Sequence, residues 1–272
     1  MSRRQQQIVG AVVVIVLGFG GGYVARSVAT GPACSAAQMP AASLADGRRA
    51  MVADGRIEVL FGPSRRGDGR GLDAALFEMI AGAWATLDCA FYDFGLDAGA
   101  GALMAAQQRG VRVRVVSDTD HAGRPAMQAC VRAGIPVVHD DRSAYMHNKF
   151  CVADARFVWT GSTNITDNGL YRNNNNAVRI DSEALAANYL AEFEEMFAGR
   201  HFGPQSPENT PHARLEVGAV DVRCFFAPED DAEQAILAAV GDARREIVFM
   251  AFAFTSTPIA EAMAARMGAG VR

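Results

Sequence analysis

The stretch "MHNKFCVADARFVWTGSTNIT", residues 146–166, carries polar side chains at fixed offsets inside an otherwise apolar run. His147 and Lys149 are two apart, Asp154 comes five later, and Ser162 and Asn164 follow a second apolar segment. In a strand, residues two apart share a face. His147, Lys149 and Cys151 therefore point one way, and Asn148, Phe150 and Val152 the other. An imidazole and an ammonium stand side by side at the strand's start, with Asp154 at its far end near a turn. Gly161 allows a bend that brings Ser162 and Asn164 back toward the same site. A nucleophile or base, a fixed cation, and hydroxyl and amide donors together suit an anionic tetrahedral centre.

Working outward, "RIEVLFGP" reads as a strand ending in a turn at Gly62-Pro63. "GLDAALFEMIAGAW" has apolar residues at helical spacing, "TLDCAFYDF" is a buried strand, and "AGALMAAQQRG" is a helix closing on Gly110. "VRVRVVSD" alternates as a strand, "RPAMQACVRAG" is a helix, and "IPVVHD" is a short strand. "NNNNAVRID" and the helix "SEALAANYLAEFEEMFAG" follow the opening stretch. Strands alternating with helices imply an α/β layered domain. "PQSPENTPHA", residues 204–213, has three prolines in ten residues and reads as a linker.

Beyond that linker the chain repeats itself. Phe61-Gly62-Pro63 corresponds to Phe226-Ala227-Pro228, and a strand ending at Phe94 to an expected strand ending at Phe254. Seventeen positions separate Phe94 from Val111, and seventeen separate Phe254 from Val271. Gly110-Val111-Arg112 matches Gly270-Val271-Arg272. The expected organisation is an N-terminal segment (1–29), a linker (30–55), a first unit (56–203), a linker (204–213) and a second, incomplete unit (214–272). On this reading the chain is a fragment of a two-repeat protein.

The offsets H-x-K-x4-D-x6-G-S-x-N resemble the signature of the phospholipase D superfamily, over about residues 57–200 and the partial repeat. The resemblance implies a mixed α/β sheet flanked by helices. It implies a phosphodiesterase in which His147 attacks phosphorus and becomes a phospho-histidine. Lys149 and Asn164 would hold the non-bridging oxygens, Ser162 would hydrogen-bond within the site, and Asp154 would support it. No metal or other cofactor is implied; "HDD", residues 139–141, reads as a polar loop. Family members often carry a glutamate that orients the nucleophilic imidazole, and Asn175 in "RNNNNAV" occupies that position here. An amide can accept the imidazole N–H but cannot stabilise an imidazolium by charge. A less basic His147 is expected, or a substitute acid, for which Asp93 in "FYDF" is the candidate. The family takes its leaving-group proton from a second motif histidine. Here that histidine would come from the missing part of the second repeat, or from a homodimer. His121, His139, His201 and His212 lack the motif context. The expected substrate is a phospholipid phosphodiester. The alternatives are a nucleic-acid phosphodiester or an inactive binding protein.

The N-terminus adds an expectation of its own. "IVGAVVVIVLGFGGGYVA", residues 8–25, is 18 residues without a charge, ~27 Å as a helix. Arg3 and Arg4 precede it. A single-pass transmembrane anchor with the catalytic domain outside the cytoplasm is expected, with a signal peptide cleaved after "SVA" (27–29) as the alternative. The net charge of −4 argues against a dedicated nucleic-acid binder. A local basic run, Arg48, Arg49, Arg56, Arg65, Arg66 and Arg70, reads as a solvated face. The five cysteines include no CxxC pair, which argues against structural zinc. Cys89 and Cys151 read as small buried hydrophobes.

Overall fold

A computed structural model describes residues 23–25 and 49–272, apart from residue 68. Its strands are β1 (Tyr23–Ala25), β2 (Arg49–Val52), β3 (Ile57–Phe61), β4 (Thr86–Phe91), β5 (Arg112–Ser117) and β6 (Val137–His139). They continue with β7 (Lys149–Ala153), β8 (Phe157–Gly161), β9 (Asn176–Asp181), β10 (Arg214–Val217) and β11 (Val220–Phe225). The helices are α1 (Leu72–Gly82), α2 (Asp97–Gln108), α3 (Pro125–Arg132), α4 (Asp167–Tyr171), α5 (Glu183–Glu194), α6 (Ala232–Asp242) and α7 (Thr257–Gly268).

Eight strands form one mixed sheet in the order β2-β3-β9-β8-β7-β4-β5-β6. β4, β5 and β6 run parallel, joined through α2 and α3, and the other pairs are antiparallel. The period-two pattern decides which side chains each face receives. Cys151 and Ala153 join Leu72, Leu76, Leu103 and Met127 of α1, α2 and α3. Phe150 and Val152 join Leu185, Tyr189 and Phe193 of α5, with Leu215 and Val222 of β10 and β11. Full burial of a side chain such as Phe150 or Phe193 contributes ~1.5–3 kcal/mol. The sheet is therefore covered on both faces, and its α/β class follows from the alternation of strand and helix.

Several sequence expectations need correcting. The anticipated N-terminal transmembrane or signal helix is not supported. Tyr23–Ala25, the end of the charge-free run, is a strand paired antiparallel with Phe225, Cys224 and Arg223. No helix among the described residues is long and apolar enough to cross a membrane. Residues 8–22 and 27–29 lie outside the described residues. Membrane anchoring and an extracytoplasmic location are therefore not carried forward.

The expected linker over 30–55 contains a strand, because β2 pairs with β3 from Arg49↔Leu60 to Val52↔Ile57. The basic run is not simply a solvated face. Arg49 pairs with the buried Glu58, which also meets Arg179 at 2.9 Å. Arg56 donates to the Asp181 carbonyl at 2.9 Å. Arg66 pairs with Asp167 and lies 4.0 Å over the Tyr171 ring. Cys89 and Cys151 are buried as expected, but they face each other across β4 and β7 and form a disulfide. The expected strand ending at Phe254 is an irregular segment, with Val248, Met250 and Phe252 exposed.

Candidate active site

The site forms where parallel strands β4 and β5 end and antiparallel β7 begins. Ligand groups gather at the carboxyl ends of parallel strands because the loops there converge. Register pairs Phe91 with Lys149, so Tyr92 and Asp93 run out beside His147. The Tyr92 N–H donates to the Asn148 carbonyl at 2.8 Å and fixes that junction. From β5, the buried Asp118 accepts the Met146 N–H at 2.8 Å and the Asp120 N–H at 2.9 Å. These bonds hold the loop before His147 against the short 3-10 turn Thr119–His121.

Tyr92 is the hub. Its ring centroid lies 4.5 Å from that of His147, 4.6 Å from His121 and 5.3 Å from Tyr145. Lys149 Nζ stands 4.8 Å from the same ring and donates to the His147 carbonyl at 2.8 Å. Burial, then Lys149 and His121, lower the His147 pKa to about 4. Near neutral pH the imidazole therefore carries a free lone pair, which a nucleophile needs. Burial lowers Lys149 to about 7, against the opposing pull of Asp93 and Asp118.

Asn175 does not orient His147. Its Oδ1 accepts from Ser162 Oγ at 3.0 Å, and its Nδ2 donates to the Gly169 carbonyl at 2.8 Å. Ser162 also accepts the Asn176 N–H at 3.0 Å, so Ser162 and Asn175 brace the loop rather than the imidazole. His147 Nδ1 is buried without a hydrogen-bond partner among the described residues. The low basicity of His147 thus comes from burial, then Lys149 and His121, not from the Asn175 position.

Asp93 is not a substitute acid for His147 either. Arg124 grips its carboxylate with two bonds, of 3.0 and 2.8 Å, and His121 Nδ1 lies 3.7 Å away. The Asp93 carbonyl accepts the Ile165 N–H at 3.1 Å, which ties the loop carrying Asn164 to the end of β4. Asn164 Oδ1 is buried without a hydrogen-bond partner among the described residues. A cavity of about 370 Å³ opens beside this loop, lined by Asp93, Gly95, Arg124, Thr166, Asp167, Asn168 and Arg172.

Asp154 lies outside the site, about 16 Å along the strand from Lys149 at ~3.3 Å per residue. Its carboxylate accepts the Ala85 and Thr86 N–H groups at 2.7 and 2.9 Å, and the Trp84 N–H at 3.2 Å. It organises the entry to β4 and does not touch the histidine. In the "HDD" loop, Asp140 accepts from both the N–H and the Oγ1 of Thr119.

Sequence reading missed Tyr92, Asp118, Arg124 and Tyr145, and set His121 aside. They come from three separate loops, and their common signal is position just beyond the end of a parallel strand. It also missed a carboxyl cluster behind the sheet. Glu192, Glu195 and Glu229 offer oxygens within 4.8 Å of one another, a set that could hold a cation. Asn148 donates to Glu192 at 3.0 Å. Burial raises all three, and repulsion by Glu229 adds to it at Glu192 and at Glu195, which reaches about 7.

Residues 76–197 match the family described as "Cardiolipin synthase, PLD-like domain". The mitochondrial cardiolipin hydrolase of Xenopus laevis is 36% identical over 124 residues, 45% of this chain and 59% of that protein. The Homo sapiens protein of the same name is 34% identical over 131 residues, 47% of this chain and 52% of that protein. The chain thus spans between half and two thirds of the length of these relatives. The crystal structure of Nuc from Salmonella typhimurium, titled a phospholipase D family member, superposes with a TM-score of 0.47 and 26% identity. That match covers 53% of this chain and 94% of the other. The histidine–lysine site at the end of the parallel strands lies within residues 76–197, the part of the chain that is similar to a phospholipase D-like domain.

Proposed function

We propose that the chain hydrolyses a phospholipid phosphodiester through a phospho-histidine formed on His147. The observation that carries this reading is the pairing of a neutral, half-buried imidazole with a buried ammonium two residues away. His147 attacks phosphorus, and Lys149 and Asn164 draw negative charge from the non-bridging oxygens as it develops. Lys149 acts as a point charge on a short tether to the His147 carbonyl. Ser162 and Asn175 keep the Asn164 loop in place. The phospholipid assignment draws on the names of the cardiolipin hydrolases that this chain resembles.

A nucleic-acid diester is the second reading. It is favoured by Arg124 and Arg172 in the cavity beside Asn164, where a further phosphate of a polyanion could sit. The experiment is hydrolysis of a panel of phospholipids and of single- and double-stranded nucleic acid, with His147→Ala as control. Turnover of phospholipid is expected, lost by roughly 10⁴-fold or more in His147→Ala. Turnover that survives His147→Ala overturns the mechanism, and turnover of nucleic acid alone overturns the substrate.

A further inference from the structure

We propose that Glu192 is a positioning residue for the nucleophile: bonded to Asn148 from the α5 side of the sheet, it fixes where His147 and Lys149 stand. The assignment rests on His147 being the nucleophile.

The need for such a residue follows from where the strand ladder stops. β4 and β7 pair from Leu87↔Ala153 to Phe91↔Lys149, and β7 and β8 from Ala153↔Phe157 to Phe150↔Thr160. His147 and Asn148 therefore lie ahead of the last ladder pair. A reacting atom misplaced by about 1 Å can cost ~10²-fold in rate, so bonds outside the ladder have to hold this segment. Two of them act on the main chain. Asp118 accepts the Met146 N–H at 2.8 Å, and the Asn148 carbonyl accepts the Tyr92 N–H at 2.8 Å. A third acts on a side chain. Asn148 Nδ2 donates to Glu192 Oε1 at 3.0 Å and to Met196 Sδ at 3.6 Å. The end of β4 thus holds Asn148 by its main chain, and α5 holds it by its side chain.

Asn148 is 2% exposed and Glu192 7% exposed. They lie on the side of the sheet where Phe150, Tyr189 and Phe193 form the apolar core. An amide and a carboxyl buried there cost free energy unless they are bonded to each other. Apolar side chains would fill the same space without that cost. What the bond supplies, and apolar contact does not, is direction. It selects one orientation of the Asn148 side chain, and with it one course of the main chain between the imidazole and the ammonium.

The test follows kcat and KM of the whole chain on bis(4-nitrophenyl) phosphate, a diester that is neither lipid nor nucleic acid. Asn148→Ala/Glu192→Leu replaces both partners by apolar groups, roughly conserves their combined volume and leaves neither partner unpaired. Its urea midpoint is expected near that of the wild type. Its kcat is expected to fall by ~10²-fold, with KM changed less than about twofold. Asn148→Asp/Glu192→Gln keeps the bond with its polarity reversed, the amide now donating from the helix. It is expected to hold kcat within about tenfold of the wild type. Asn148→Asp alone sets two carboxyl groups against each other and is expected to lose as much kcat as the apolar pair. Should the apolar pair unfold, this single variant and the reversed pair decide the matter. An apolar pair with wild-type kcat, or a reversed pair no better than Asn148→Asp, overturns the assignment while leaving His147 standing, provided that His147→Ala abolishes turnover. A wild-type chain inert on the diester overturns the reading of His147, and this assignment with it.

Discussion

Residues 86–94, "TLDCAFYDF", and residues 246–254, "EIVFMAFAF", each lie between a helix of eleven residues and one of twelve. Local structure around them is nearly the same. The Ala83 N–H bonds the Ile80 carbonyl, and the Ala243 N–H bonds the Val240 carbonyl. Arg112 bonds back to Ala85 at 2.9 Å, and Arg272 to Arg245 at 3.0 Å. Gly110 and Gly270 both close their helices with positive φ, 93° and 88°. Only the first segment is a strand. β4 is laddered by β5 and β7, and Asp154 ties down its entry. The second segment has no strand beside it among the described residues, and Phe252 is fully exposed. Helices and turns follow from nearby residues, whereas a strand exists only through its neighbours.

The sharpest way to break this comparison is a matched pair of truncations. Phe94→Ala removes a ring that is 2% exposed and should cost ~3–5 kcal/mol. Phe254→Ala, at a position 44% exposed, should cost under ~1 kcal/mol. Urea unfolding of both variants measures the contrast. Equal costs would mean that the second segment is as well packed as the first.

Asp154→Ala comes next. It leaves the N–H groups of Ala85 and Thr86 without their carboxylate and should cost ~2–3 kcal/mol. Turnover per folded molecule should stay unchanged, since Asp154 is remote from His147. A specific loss of kcat at full foldedness would return Asp154 to the site.

The smallest effect lies where the two regions meet, at Glu229 against Glu192 and Glu195. Glu195 is raised from 4.5 to about 7, by burial first and then by Glu229. Between those values the folded state holds a proton that the unfolded state has lost. This contribution is therefore intact below about pH 4.5 and disappears as pH rises through about 7. Glu195→Gln should raise Tm at pH 8 by ~2–4 °C, on the order of 1 kcal/mol at this size, with no gain near pH 4. A gain independent of pH would assign the effect to packing instead.

The closeness of His147 and Lys149 was legible because their spacing is local. His147 lies just before β7 and Lys149 opens it, so residues two apart in sequence stay neighbours even though only Lys149 is on the strand. What surrounds them was not legible. The Asp93–His121 contact depends on two parallel strands ending at the same height. The Cys89–Cys151 bond depends on β4 and β7 meeting in one register. Asn175 was misassigned because a motif position was taken for a contact, while its amide closes a loop with Ser162 and Gly169. Hydrophobicity alone suggested a strand at 246–254 and a spanning helix at 8–25. Apolar composition permits burial but does not say against what.

The bond from Lys149 Nζ to the His147 carbonyl bears on how mutant kinetics can be read. The ammonium is fastened to the main chain of the residue that would attack phosphorus. Removing it takes away a charge and also unfastens the nucleophile's backbone. A Lys149 variant would then report oxygen neutralisation and imidazole placement as one inseparable quantity. A cycle combining Lys149 and His147 substitutions should accordingly be strongly non-additive, with the double variant little worse than either single one.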